Sequence, residues 1–165
     1  MSTFYTYHDT AIGSLLLAGN DGGLTLLGFP QGKMRRRHEA DWIESPGKFE
    51  LVRQQLDDYF AGKLDTFSVP LSPQGTSFQM EVWQALQQIP YGQTWSYGQL
   101  ANHIDRPKAS RAVGAANGVN PIPVIIPCHR VIVSSGKLTG FGGGLETKQF
   151  LLALEAERSA PVLDF

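Results

Sequence analysis

The chain has one cysteine in 165 residues, so it cannot form an internal disulfide and offers no CxxC pair for structural zinc. Its four histidines lie far apart in the sequence, and no metal is expected. Long apolar runs are also missing: nothing approaches the roughly 18 to 20 residues that cross a bilayer. The opening MSTFYTYHDT lacks the basic-then-hydrophobic order of an export signal. These absences lead us to expect a soluble, cytoplasmic protein without membrane contact. An excess of charge is absent too, with 14 basic and 15 acidic residues and a net charge of -1. Seven basic and nine acidic residues precede Thr76, and seven and six follow. Global charge therefore gives no support for a nucleic-acid partner, which usually calls for a basic face. With 42% apolar and 18% charged residues, the chain can build a packed core. Its length suits one large domain or two small ones.

Alternation of apolar residues predicts short strands at Phe4 to Tyr7, Ser14 to Ala18 and Leu24 to Phe29. Asn20-Asp21-Gly22-Gly23 supplies the positive-φ residues of a tight hairpin. The run Met34-Arg35-Arg36-Arg37-His38 is the one basic cluster, but Glu39, Asp41 and Glu44 follow it at once, which favours a solvated loop. Val52, Leu56, Tyr59 and Phe60 recur at helical spacing before Gly62. Pro70, Pro73 and Gly75 then suit a linker, and we divide the chain there, into 1–74 and 75–165.

Beyond the linker, Thr76 or Ser77 can cap a helix with the stripe Phe78, Val82, Leu86 and Ile89, which Pro90 and Gly92 end. Ser96 can cap a short helix through Leu100 and His103, and Lys108 to Gly118 forms another, as in a helix-turn-helix. A last helix runs from near Glu146 to about Arg158. The segment KASRAVGAANG surrounds Arg111 with small residues. Tight packing inside a core explains that composition, and so does a slim helix entering a nucleic-acid groove. In the second case Arg106 and Lys108 would hold phosphates.

The cysteine sits in NPIPVIIPCHRVI, where three prolines stiffen the approach and Val124 to Ile126 form an apolar run. An isolated intracellular cysteine is most often a small buried hydrophobe. An unperturbed thiol is only about 3% thiolate at pH 7, however, and the adjacent His129 could draw off its proton. Glu155 lies one helical turn beyond Leu151 and Leu152, on their face, where a carboxylate could orient such a base. A solvent-facing Glu155 fits the same pattern.

PCHRVI, preceded by RAVGAANGVNPIP and followed by SSGKLTGFGGG and a helix with Glu155, resembles the O6-alkylguanine-DNA alkyltransferases. The similarity is close from about Thr76 to Glu155, whereas the amino half matches in outline. The resemblance implies an α+β fold: a small amino-terminal α/β domain with ribonuclease H-like strands and a helix, then a mainly helical domain with a winged helix-turn-helix. It implies DNA repair by direct reversal, in which an alkyl group passes irreversibly from O6 of guanine in double-stranded DNA to Cys128. O4 of thymine is a further conceivable donor.

By this resemblance Cys128 is held ionised as the acceptor, His129 takes its proton through a bound water, and Glu155 orients the imidazole. Asn120 braces the turn. Arg111 is the finger entering the stack from the minor groove, with Lys108, Ser110 and Ala112 beside it on DNA. Tyr97 helps to rotate the nucleotide and donates to guanine N3. Carbonyls of Cys128 and Val131 and the Gly142 N–H read the everted base, and Pro123 and Phe141 line the alkyl side. Many relatives have tyrosine in place of Phe141, and some bind zinc through amino-domain cysteines that this chain lacks. A monomer without cofactor is expected, consumed by one reaction. Two other classes remain: a damage sensor that binds DNA without chemistry, and a cysteine hydrolase that turns over.

Overall fold

The computed structural model describes residues 2–136 and 141–159. The KLTG stretch that follows Gly136 in the sequence motif begins outside them, as do the last six residues. The amino half opens with β1 (Phe4–Thr10), β2 (Gly13–Asn20) and β3 (Gly23–Gly28). These form an antiparallel meander, with Asn20 opposite Gly23 at the foreseen hairpin. A two-residue strand, β4 (Ile43–Glu44), pairs parallel to β1, giving the order β3-β2-β1-β4. Sequence patterning missed β4 because two residues carry no periodicity.

Leu15, Leu16, Leu17 and Ala18 of β2 are all buried. Leu15 and Leu17 face the main core, while Leu16 and Ala18 pack with Tyr5 beneath Leu26 and Trp42. Both faces of the central strand are thus covered. Helix α1 (Glu50–Phe60) buries Val52, Leu56 and Tyr59, the stripe that helical spacing predicted.

The proline-containing segment after α1 is held against the sheet edge, because Leu24 N donates to Pro70 O at 2.9 Å and Ser72 N to Leu24 O at 2.7 Å. One hydrophobic cluster runs continuously from Leu15, Leu56 and Tyr59 to Val82, Ile126 and Leu151. The carboxyl half contains α2 (Ser77–Leu86), α3 (Tyr97–His103), α4 (Ser110–Gly118) and α5 (Leu145–Ser159). Thr76 and Ser96 each form a capping box with the glutamine three residues on. Two backbone donors are satisfied at each helix start.

The pair β5 (Trp95–Ser96) and β6 (Val131–Ile132) runs parallel, with Trp95 opposite Val131. Its ladder ties the start of α3, where Tyr97 sits, to the residues that follow Cys128. Gly32 approaches the loop before α5 so closely that a Cβ there would lie 2.5 Å from Gly142 O, and its φ is +89°. Only glycine fits that contact without displacing the backbone.

Candidate functional site

Cys128 opens a short 3-10 turn, Cys128–Arg130, whose three residues are all buried. The approach to it is strained: Val124 has φ +74°, a conformation that a β-branched residue avoids. Asn120 holds that approach, accepting from Ile122 N at 3.0 Å and donating from Nδ2 to Ile126 O at 2.8 Å. It is buried and bridges the two sides of the turn.

Burial pushes the Cys128 thiol up to about 11, against smaller lowering influences from Asn120 and Lys148. This corrects the expectation of a sulfur held ionised. In an apolar, water-poor setting the neutral thiol is favoured because the thiolate loses its hydration. Burial therefore favours the protonated form of the sulfur.

The next residue, His129, is fully buried. Its Nε2 lies 2.7 Å from Glu155 Oε2, so the network assigns the proton to Nε2 and leaves the Nδ1 lone pair free. Nδ1 is buried and, among the described residues, meets no hydrogen-bond partner. Burial lowers the imidazole's pKa, although the bond to Glu155 opposes that shift. The ring is neutral near pH 7.

Glu155 faces inward from α5, 1% exposed. It accepts from His129, from Tyr59 Oη at 2.5 Å and from Arg130 through Nε at 2.7 Å and Nη2 at 3.0 Å. Burial alone would raise its pKa, but the bonds and charges of His129 and Arg130 outweigh it and hold the carboxyl at about 2. Arg130 also donates from Nη1 to Ile89 O at 2.8 Å. The carboxylate is fixed as an anion by several donors.

Arg130, Tyr59 and Lys148 were missed by sequence reasoning. Lys148 is 1% exposed, donates from Nζ to Val131 O at 2.9 Å, and its charge lowers the thiol's pKa. It lies seven residues before Glu155, so the helical count that turned Glu155 inward also turns Lys148 inward. Tyr59 was read as one more member of an apolar stripe.

A cavity of about 500 Å³ opens onto Cys128, and Asn117, Asn120, Pro123, Phe141 and Gly142 line it from the carboxyl half. Its size falls within the usual range for small-molecule sites. Phe29, Met34, Arg35 and Arg36 line it from the amino half, where Met34 N donates to Gly142 O at 2.9 Å. His129, Glu155, Val131 and Tyr97 do not line it. Cys128 O already accepts from Val131 N, and Val131 O accepts from Lys148. Each carbonyl keeps a second lone pair.

Helix α4 has one buried face and one exposed face. Val113 and Ala116 are buried, and Trp83 Nε1 donates to Ala116 O at 2.9 Å. Arg111, Ala112, Ala115, Gly118 and Val119 are exposed at i, i+1, i+4, i+7 and i+8, a single outer face. Ser110 starts the helix half-buried and Lys108 is exposed just before it. Tyr97, at the start of α3, is half-buried with its ring against Gly114.

Residues 3–73 match the 6-O-methylguanine DNA methyltransferase ribonuclease-like domain, and 77–157 the DNA binding domain of the same proteins. A relative in Methanosarcina acetivorans, named methylated-DNA--protein-cysteine methyltransferase, is 50% identical over 92% of this chain and 97% of its own length. Its namesake in Methanosarcina barkeri is 53% identical over 92% and 96%. Among solved structures, Mycobacterium tuberculosis OGT in complex with DNA superposes with a TM-score of 0.87 at 50% identity, covering 94% of each chain.

Proposed function

Since the chain belongs to the 6-O-methylguanine DNA methyltransferase family, we propose that it repairs alkylated DNA by moving an alkyl group from O6 of guanine to Cys128. As the sole cysteine, Cys128 is the only thiol able to accept. The observation that carries the mechanism is the buried line from an unpartnered His129 Nδ1, through Nε2, to a Glu155 carboxylate fixed as an anion.

The sulfur attacks the alkyl carbon, forming an S–C bond as the C–O6 bond breaks, and the bonding electrons leave with guanine. The thiol proton passes to Nδ1 of His129 through one water, and Glu155 stabilises the imidazolium that forms. Lys148 supports the thiolate by its charge. Asn120 keeps the strained turn in place. The product thioether does not revert under mild conditions, so each molecule acts once and needs no separate methyl donor.

A guanine stacked in a duplex cannot reach a buried sulfur, so it must be everted, at a cost of a few kcal/mol. A minor groove about 6 Å wide excludes an ordinary helix, which is about 10–12 Å across with side chains. The bare face of Ala112, Ala115 and Gly118 reduces that width. Arg111 enters the stack from it, while Lys108 and Ser110 meet the backbone. Tyr97 turns the nucleotide and donates to N3, Gly142 N–H donates to O6, and carbonyls of Cys128 and Val131 take the exocyclic amine. Pro123 and Phe141 enclose the alkyl group.

Among the described residues no helix is long and apolar enough to cross a membrane. A free thiol persists in a reducing compartment, and we place the protein in the cytoplasm, acting as a monomer. The test is to incubate it with duplex DNA containing O6-methylguanine and to weigh its peptides. One methyl added to the Cys128 peptide, at one equivalent per protein, is the expected result. Repeated turnover would select a hydrolase instead, and no mass gain a sensor.

A further inference from the structure

We infer that the loop of residues 33–38 in the amino half is a second DNA contact, which grips backbone phosphates of the duplex that delivers the guanine. The inference rests on the proposed repair of DNA. Lys33, Arg35, Arg36 and Arg37 are all exposed. The acids that follow in sequence do not neutralise them: among the described residues no ion pair joins Arg35, Arg36 or Arg37 to a carboxylate. Three guanidinium groups thus stand together without an anionic partner.

The loop backbone is fixed while these side chains remain outside. Met34 N donates to Gly142 O at 2.9 Å, and Arg36 N donates to Phe29 O at 3.0 Å. At the far end His38 bonds through Nδ1 to Tyr7 Oη at 2.9 Å and stacks on Tyr5 with 4.1 Å between ring centroids. Arg36 lies 5.8 Å over the Trp42 ring. Little ordering remains to be done when an anion arrives, which favours binding.

Its location identifies the anion. Arg35 and Arg36 line the cavity that holds Cys128 and reaches Asn117 and Gly118 at the end of α4. The same two arginines continue into an open groove with Arg37, Tyr7 and His38. A basic surface therefore runs outward from the mouth of the acceptor cavity. A base can enter that cavity only while its flanking phosphates pass over the rim, and arginine forks suit phosphate oxygens.

The test measures affinity for an unmodified duplex against salt concentration, for the native chain and for a variant with Arg35→Gln, Arg36→Gln and Arg37→Gln. Each phosphate contact contributes about 0.9 to the slope of log K against log salt, or roughly tenfold in affinity near 0.1 M. The glutamine variant should lose about 1 to 3 from the slope, and the corresponding triple lysine variant should keep it. Single Arg37→Gln, at a position outside the acceptor cavity, should lose up to about 1 and serves if the triple variant does not fold. Unchanged slopes in folded variants would overturn the contact, as would failure of lysine to preserve it. Methyl transfer to Cys128, weighed in parallel, separates this outcome from failure of the repair assignment itself.

Discussion

Replacing Glu155 by glutamine probes the centre of the buried network while keeping its shape. The carboxylate accepts four hydrogen bonds within 3.0 Å, from Tyr59, His129 and Arg130. Arg130 is 6% exposed and has no other carboxylate within 4 Å among the described residues. The neutral amide strands that cation and turns an NH2 group toward donors. Removing one partner of a buried pair costs about 3–5 kcal/mol. For a chain of this size that lowers Tm by about 6–20 °C, at roughly 2–4 °C per kcal/mol. Urea unfolding followed by fluorescence of the three tryptophans measures the loss. Adding Arg130→Met removes the orphaned cation, so the double variant should be more stable than the sum of the single losses predicts, by about 1–3 kcal/mol. A Glu155→Gln loss below about 1 kcal/mol, or additive losses, would refute the view of Glu155 as a charge held by its neighbours.

The thiol is pushed up to about 11 and the imidazole lies below its usual value, so a His129 base predicts a transfer rate that is level from near neutrality to about pH 10 and declines as His129 protonates. A single-turnover profile rising tenfold per pH unit through that range would mean that hydroxide, rather than His129, forms the thiolate. Tyr59→Phe removes a donor from the Glu155 anion; stability should fall by about 1.5–3 kcal/mol, and the more basic carboxylate should shift the acid limb to higher pH. A limb that stays in place would reduce Tyr59 to packing. Acid should weaken the fold in two stages seen by tryptophan fluorescence. His129, with its folded pKa lowered, removes stability as pH falls below about 6.5, and Glu155, held at about 2, removes more between about 4.5 and 2. Arg111→Ala should reduce repair of duplex DNA more than reaction with free O6-alkylguanine, since only the duplex requires eversion; equal losses would remove the finger role.

The three strands of the meander, the hairpin and the five described α-helices were legible because each carries its own periodicity or punctuation, whereas the two-residue strands β4, β5 and β6 were not. Asn20-Asp21-Gly22-Gly23 marks a turn in four letters, and Thr76 and Ser96 announce helices through capping boxes. Cys128 and His129 were legible from one motif, whereas the helical count left Glu155 either inward or solvent-facing until the fold buried it. Other features needed the fold. Two-residue β4 has no pattern, and Tyr59 looks apolar until its hydroxyl reaches across 96 residues to Glu155. Arg35 to Arg37 looked neutralised by acids nearby in sequence, yet among the described residues no such ion pair joins them. Sequence neighbours are poor guides to ion pairs, because side-chain direction decides which charges meet.

The protonated sulfur suits an acceptor that is spent by one event. A neutral thiol reacts poorly with alkylating agents, and at pH 7 a group with a pKa of about 11 is ionised in roughly one molecule in ten thousand. A standing thiolate would be consumed by stray electrophiles before it met DNA. In the proposed reaction an everted guanine would overcome this scarcity without changing the resting state. It would be held against the sulfur at an effective concentration far above that of any free reagent, and proton transfer to His129 would need to occur only as the S–C bond forms. On the proposed mechanism, burial would keep the acceptor unreactive in solution, while the neighbouring imidazole would make it reactive toward the group delivered into its cavity.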